Sequence, residues 1–192
     1  MQPRLTVSDL ACRRGDQLLF RGLSLQLHAG EALQVVGANG TGKSSLLRIL
    51  AGLLRPFAGV VERRDPVALL DHHLPLDEHL PLGRALDFYR AMIGGCGRTQ
   101  RDTLGLTALS EVPVRYLSTG QRKRTAYLLS NPHRAPLWLL DEPLNGLDAH
   151  WADRVLADLE RHRATGGMVV VASHQPLPLA DLSTLDLAEY AP

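Results

Sequence analysis

The residues most able to do chemistry begin with Gly37-Ala38-Asn39-Gly40-Thr41-Gly42-Lys43-Ser44-Ser45. Positions 37 to 44 satisfy the pattern Gly-x-x-x-x-Gly-Lys-Ser/Thr, with an apolar strand expected before them and a helix after. Glycines let successive backbone N–H groups turn inward around an anion, and a helix starting near Lys43 would add the positive end of its dipole. Lys43 then faces the β and γ phosphates of a bound nucleotide, and the Ser44 hydroxyl is placed to coordinate Mg²⁺.

A second element is Leu137-Trp138-Leu139-Leu140-Asp141-Glu142-Pro143, an apolar strand ending in two carboxylates. Asp141 would hold the Mg²⁺ shell, and Glu142, one residue on, would point elsewhere and could polarise an attacking water. Adjacent acids at a strand end are often only solvated, so this assignment gains its weight from the phosphate loop.

The third element is Leu117-Ser118-Thr119-Gly120-Gln121, opening a helix. Ser118 is a good N-cap, but Gly120 is a poor helix former where an ordinary cap needs none. Glycine there would let a phosphate approach the helix N-terminus, with Ser118 and Gln121 offering hydrogen-bonding groups. His174 follows an apolar strand directly, where parallel sheets place ligands, though a histidine there serves equally as a cap or packing residue. The neighbouring run Arg122-Lys123-Arg124 is expected to be a solvated basic face rather than a nucleic-acid patch.

These groups need a scaffold, and the apolar pattern supplies a parallel α/β one. Leu23 to Leu27 alternates with period two, as an antiparallel start. Ala32–Val36, Val67–Leu70, Leu137–Leu140 and Met168–Ala172 are short, largely apolar runs bounded by Gly, Pro or charge, the pattern of buried strands. A helix is expected from about Ala149 to Arg163, with Trp151, Val155, Leu156 and Leu159 sharing a face. Between about 74 and 134 no strand is expected, and Leu82–Met92, Thr99–Leu109 and Thr119–Ser130 read as helices. The chain is therefore expected to be one domain with a core of 1–73 and 135–192 and a helical insertion of about 74–134.

Composition sets the outer bounds. With 192 residues, 45% apolar and 21% charged, the chain can bury a full core. A net charge of +1 gives no global attraction to nucleic acid or anionic membrane, so no nucleic-acid partner is expected. No run approaches the roughly 18 apolar residues of a membrane span, so the chain is expected to be soluble and to dock on any membrane partner. Cys12 and Cys96 are expected to be reduced thiols.

Together the elements resemble the ATP-binding-cassette (ABC) ATPases, with 37–44, Leu117–Gln121, Asp141-Glu142-Pro143, the loop Leu144-Asn145-Gly146-Leu147-Asp148 and His174 in the family's order and spacing. The resemblance implies a P-loop ATPase fold with antiparallel N-terminal strands and an inserted helical subdomain, binding ATP and Mg²⁺. It also implies a homodimer that forms on ATP binding, with nucleotide held between one subunit's phosphate loop and the other's signature helix. Ser118 and Gly120 would then meet the partner's γ-phosphate. By position Glu142 looks like the general base, His174 the γ-phosphate sensor, and Asp148 a link between the two sites.

Within the family the chain is similar to the haem-exporter type of cytochrome c maturation ATPase. The similarity rests on Leu18 to Leu25, the Ser-Thr-Gly-Gln form of the signature, and Ser173-His174-Gln175-Pro176-Leu177. This implies integral membrane partners and a peripheral place on the cytoplasmic face of the bacterial inner membrane. Other ABC transporters, or a soluble non-transport ABC ATPase, are the alternatives. Two positions depart from the pattern. Near Arg13 and Arg14 there is no aromatic to stack on adenine, although a guanidinium can stack in its place. His73 stands where the family usually has a glutamine that senses the metal-bound nucleotide, so the resemblance implies that it joins Ser44 and Asp141 around Mg²⁺; it lies inside the stretch Asp71 to His79, which is expected to be a polar switch loop and not a zinc site.

Overall fold

The computed structural model describes residues 2, 4–71, 73–93, 97–130 and 135–192. Five strands form one parallel sheet in the order β5-β6-β7-β3-β8: β3 (Ala32–Val36), β5 (Val67–Leu70), β6 (Leu137–Asp141), β7 (Met168–Ala172) and β8 (Leu182–Asp186). Every strand of a parallel sheet ends on the same edge, so the loops after β3, β5, β6 and β7 gather there.

The apolar runs are explained by burial on both faces. Trp138 and Leu140 of β6 pack into the core on one side, with Val169 and Val171 of β7, while Leu137 and Leu139 join Met168, Val170 and Ala172 on the other. With successive side chains on opposite faces, a strand covered twice has no polar positions to spare. Helix α5 (Ala149–Ala164) makes the crossover from β6 to β7, with Val155 and Leu159 buried.

A second sheet of β1 (Leu5–Arg14), β2 (Gln17–Leu27) and β4 (Ala58–Arg63) is antiparallel in the order β2-β1-β4. The expected start at Leu23 is the last part of β2. Its inward residues Phe20, Leu23 and Leu27 pack with Leu5, Val7 and Leu10 of β1 over helix α1 (Lys43–Ala51).

The middle segment carries α2 (Leu82–Ile93), α3 (Arg98–Thr103) and α4 (Thr119–Ser130). The helix expected over Thr99–Leu109 is broken. It stops at Leu104 as Gly105 takes φ +64°, and only a 3-10 turn, Thr107–Leu109, follows. Thr107 bonds the Asp102 carboxylate and so stabilises the turn instead of a continued helix. His72 and Cys96, and the end of the insertion expected near 134, lie outside the described residues. Cys12 is a buried free thiol, and burial pushes it above its ordinary range.

Candidate active site

The phosphate loop joins β3 to α1. Gly42 caps α1 at φ +109° with no side-chain cap bond, and Gly37 and Gly40 also adopt positive φ. A β-carbon on Gly42 would lie 3.1 Å from the Phe20 ring, so glycine is needed for conformation and for space. No acidic side chain sits in the first turn of α1, which leaves the positive end of the helix dipole uncancelled. Lys43 is buried, and its ammonium donates to the carbonyls of Gly37 at 2.7 Å and Ala38 at 3.1 Å. Ala38 also accepts from the Thr41 hydroxyl, 2.9 Å away. Asn39 and Ser44 are exposed, while Ser45 is half-buried one residue farther along the helix.

Asp141 ends β6 beside Ala172 and is only 4% exposed. Glu142 then turns out of the sheet at φ +47°, a left-handed conformation that costs a residue with a β-carbon about 1–2 kcal/mol. Its N–H donates to Ala172, closing the gap between the ends of β6 and β7. The turn sends its carboxylate to His174, whose Nδ1 lies 3.0 Å from both Oε1 and Oε2, and the His174 backbone N–H donates to Oε1 at 3.2 Å. The two residues expected to be base and sensor are thus brought into direct contact.

The loop carrying His174 is anchored from below. Ser173 Oγ bonds the Gln175 carbonyl and accepts from its N–H, and the buried Gln34 on β3 donates to that same carbonyl at 2.7 Å. Gln34 is not among the residues expected from the sequence, although it is a single amide in the otherwise apolar Ala32–Val36.

At the start of α4, Ser118 and Gln121 cap each other. The Ser118 N–H donates to Gln121 Oε1 at 2.8 Å, and the Gln121 N–H donates to Ser118 Oγ at 3.2 Å. Gly120 has a reason within the chain as well, since a β-carbon there would lie 2.9 Å from the Gly146 carbonyl oxygen. An open pocket of about 390 Å³ faces this turn, lined by Ser118–Gln121 and by Gly146, Leu147 and Asp148 of the loop after β6. Asp148 also caps α5, its Oδ1 accepting from Trp151 N–H at 2.9 Å.

The run Arg122-Lys123-Arg124 is not a solvated basic face. Lys123 is 7% exposed, Arg122 pairs with Glu78 at 2.6 Å, and Arg124 donates to the Leu104 carbonyl while its guanidinium lies 4.7 Å from the Trp151 ring centre. Three consecutive positions of a helix point in three directions, so adjacent charges need not share a surface. Burial pushes the Lys123 ammonium down, opposed by Asp141, Glu142 and Asp71 in that order.

Asp71, at the end of β5, pairs with Arg48 of α1 at 2.7 Å and so ties the following loop to the phosphate-loop helix. His73 is exposed and lines a groove of about 430 Å³ with Leu74, Pro75, Tyr89, Ala126 and Leu129. Arg13 and Arg14 are both exposed, and the Arg13 guanidinium lies over Phe57, 4.7 Å from the ring centre.

Over nearly its whole length the chain is similar to known proteins. Residues 20–145 match the ABC transporter family. The chain is 58% identical over 188 residues to the cytochrome c biogenesis ATP-binding export protein CcmA of Novosphingobium aromaticivorans, covering 98% of this chain and 97% of that one. It is 47% identical to the protein of the same description from Zymomonas mobilis, covering 97% and 86%. Among solved structures, an inward-facing ABC transporter of the metal-chelate type superposes with a TM-score of 0.75 at 26% identity, over 97% of this chain and 80% of that one. A dimeric ATP-binding cassette bound to ADP and Pi shares the fold, with a TM-score of 0.71 at 20% identity over 89% and 88%.

Proposed function

This chain belongs to the ABC transporter family, and from that membership we propose that it is the ATP-hydrolysing subunit of a cytochrome c biogenesis export complex whose cargo is haem. The carrying observation is the convergence on one sheet edge of the loop 37–44, Asp141 and the Glu142–His174 pair. The inward amides of Gly37 to Gly42, with Lys43, bind the ATP phosphates, and Ser45 continues that contact along α1. Ser44 and Asp141 offer the hard oxygen donors that suit Mg²⁺. Held by Ser44 and Asp141, the ion would supply charge neutralisation for the phosphates. Glu142 takes a proton from the attacking water, and His174 holds its carboxylate in place while reaching the γ-phosphate.

Two subunits enclose two nucleotides, each contacted by Ser118, Gly120 and Gln121 of the other subunit, with Asp148 joining the sites. The helices between 74 and 134 form a subdomain, and integral membrane subunits dock in the groove that His73 lines, where its imidazole replaces the usual glutamine. Among the described residues no helix is long and apolar enough to cross a membrane, which fits attachment through those subunits on the cytoplasmic face of the bacterial inner membrane. Glu142→Gln tests the chemistry. ATP binding is retained and turnover falls about 100-fold or more, since a positioned base contributes roughly 10² to 10⁴. Near-normal hydrolysis would remove Glu142 from the mechanism.

A further inference from the structure

Lys123 is a buried cation in the signature helix, and its ammonium donates to two successive backbone carbonyls, Asp141 at 3.1 Å and Glu142 at 2.7 Å. Those two carbonyls belong to the peptide planes on either side of the Glu142 α-carbon. Drawing both to one donor restricts the φ and ψ of that residue together. Glu142 is also the residue held at φ +47°, a conformation that persists only where its surroundings over-determine it. The Asn145 N–H adds a further bond to the Glu142 carbonyl at 3.3 Å.

The direction in which a side chain leaves the backbone follows from φ and ψ. With Glu142 in this turn, its carboxylate meets His174. Lys123 stands on α4, the helix that Ser118 and Gln121 cap and that carries Gly120 at its first turn. Arg124, beside it, anchors the same helix to the Leu104 carbonyl. A displacement of the start of α4 therefore acts on the backbone of Glu142 through one side chain.

We propose that Lys123 is a positioning residue for the hydrolytic base, clamping both peptide planes of Glu142 and tying the base of each subunit to that subunit's own signature helix. The assignment rests on Glu142 being the base. In the dimer proposed above, where the signature of one subunit contacts nucleotide bound to the other, Lys123 links that distant nucleotide to the base beside the near one. Its role is in turnover and not in holding ATP, since it donates to backbone carbonyls and lies on a different element from the phosphate loop.

The test is a double-mutant cycle on ATP turnover in the assembled complex, with melting temperatures recorded for every protein. Lys123→Met keeps the length and loses the donors. At saturating ATP it lowers turnover by about tenfold to 100-fold, the loss expected of a misplaced catalytic group, and the half-saturating ATP concentration stays within about twofold. In the Glu142→Gln background, where no base remains to be positioned, the same change costs less than about twofold. Full turnover in Lys123→Met, or an equal loss in both backgrounds, would overturn the proposal. Lys123→Gln keeps a shorter neutral donor and gives a smaller loss of the same pattern, and it decides the question if the methionine protein does not fold. Normal turnover in Glu142→Gln alone is a different result, which removes the base assignment and this one with it.

Discussion

Gly120→Ala is expected to destabilise the protein, against the usual rule for a glycine in a helix. Alanine is favoured over glycine in a helix interior by about 1 kcal/mol, and less in the first turn. Here the added β-carbon would lie 2.9 Å from the Gly146 carbonyl oxygen, and ordinary contact begins near 3.4 Å. The obstacle is backbone and cannot rotate away, so α4 and the loop at Gly146 must separate by about 0.5 Å. Overpacking of this kind costs about 1–3 kcal/mol, and after a first-turn preference of roughly 0.5 kcal/mol it leaves a net loss of about 0.5–2.5 kcal/mol. For a chain of this size that lowers the melting temperature by roughly 1–10 °C. The assay is thermal unfolding without nucleotide, followed by circular dichroism. An unchanged or raised melting temperature would show that the close approach of these two backbones is not what requires glycine.

Cys12 is expected to react with a maleimide in the unfolded chain but far more slowly in the native one, because burial both covers the thiol and raises its pKa; mapping by peptide mass distinguishes it from Cys96. Tyr127 donates to Asp158 at 2.9 Å, and burial with that carboxylate pushes its phenol well above the ordinary range. Because the folded-state pKa is raised, its contribution is fully present below about pH 10 and lost above it. Denaturant midpoints should therefore fall more steeply above pH 10 in wild type than in Tyr127→Phe, and parallel curves would contradict this. Gln34→Leu removes the donor to the Gln175 carbonyl and is expected to lower turnover severalfold with ATP binding kept, through a loosened His174; unaltered turnover would exclude that support.

The central strands were legible because each is covered on both faces and therefore continuously apolar. The chemistry was legible because glycine spacing and paired acids are required by phosphate and metal. The strands β1, β4 and β8 were not identified. Asp9 at φ +50° marks irregular pairing that interrupts the period of β1, β4 is largely exposed, and in β8 the adjacent residues Ser183 and Thr184 are both exposed, so none shows a clean pattern. Lys123 was misplaced on the surface because a sequence shows the charge and not the two carbonyls that accept from it. The pairing of Ser118 with Gln121 is legible as the Ser-x-x-Gln capping pattern, while the glycine between them points equally to an external ligand.

The most direct test of the account is whether ATP joins two copies of this chain through the turn at Ser118. In the Glu142→Gln background, where slowed hydrolysis leaves the nucleotide in place, sedimentation velocity is expected to show a dimer with Mg²⁺-ATP and a monomer without nucleotide. Adding Ser118→Arg places a bulky cation at the mouth of the pocket formed by Ser118–Gln121 and Gly146–Asp148, and is expected to abolish the dimer while ATP binding to the loop 37–44 persists. The same ATP-induced dimer in the Ser118→Arg protein would contradict the shared site on which the account depends.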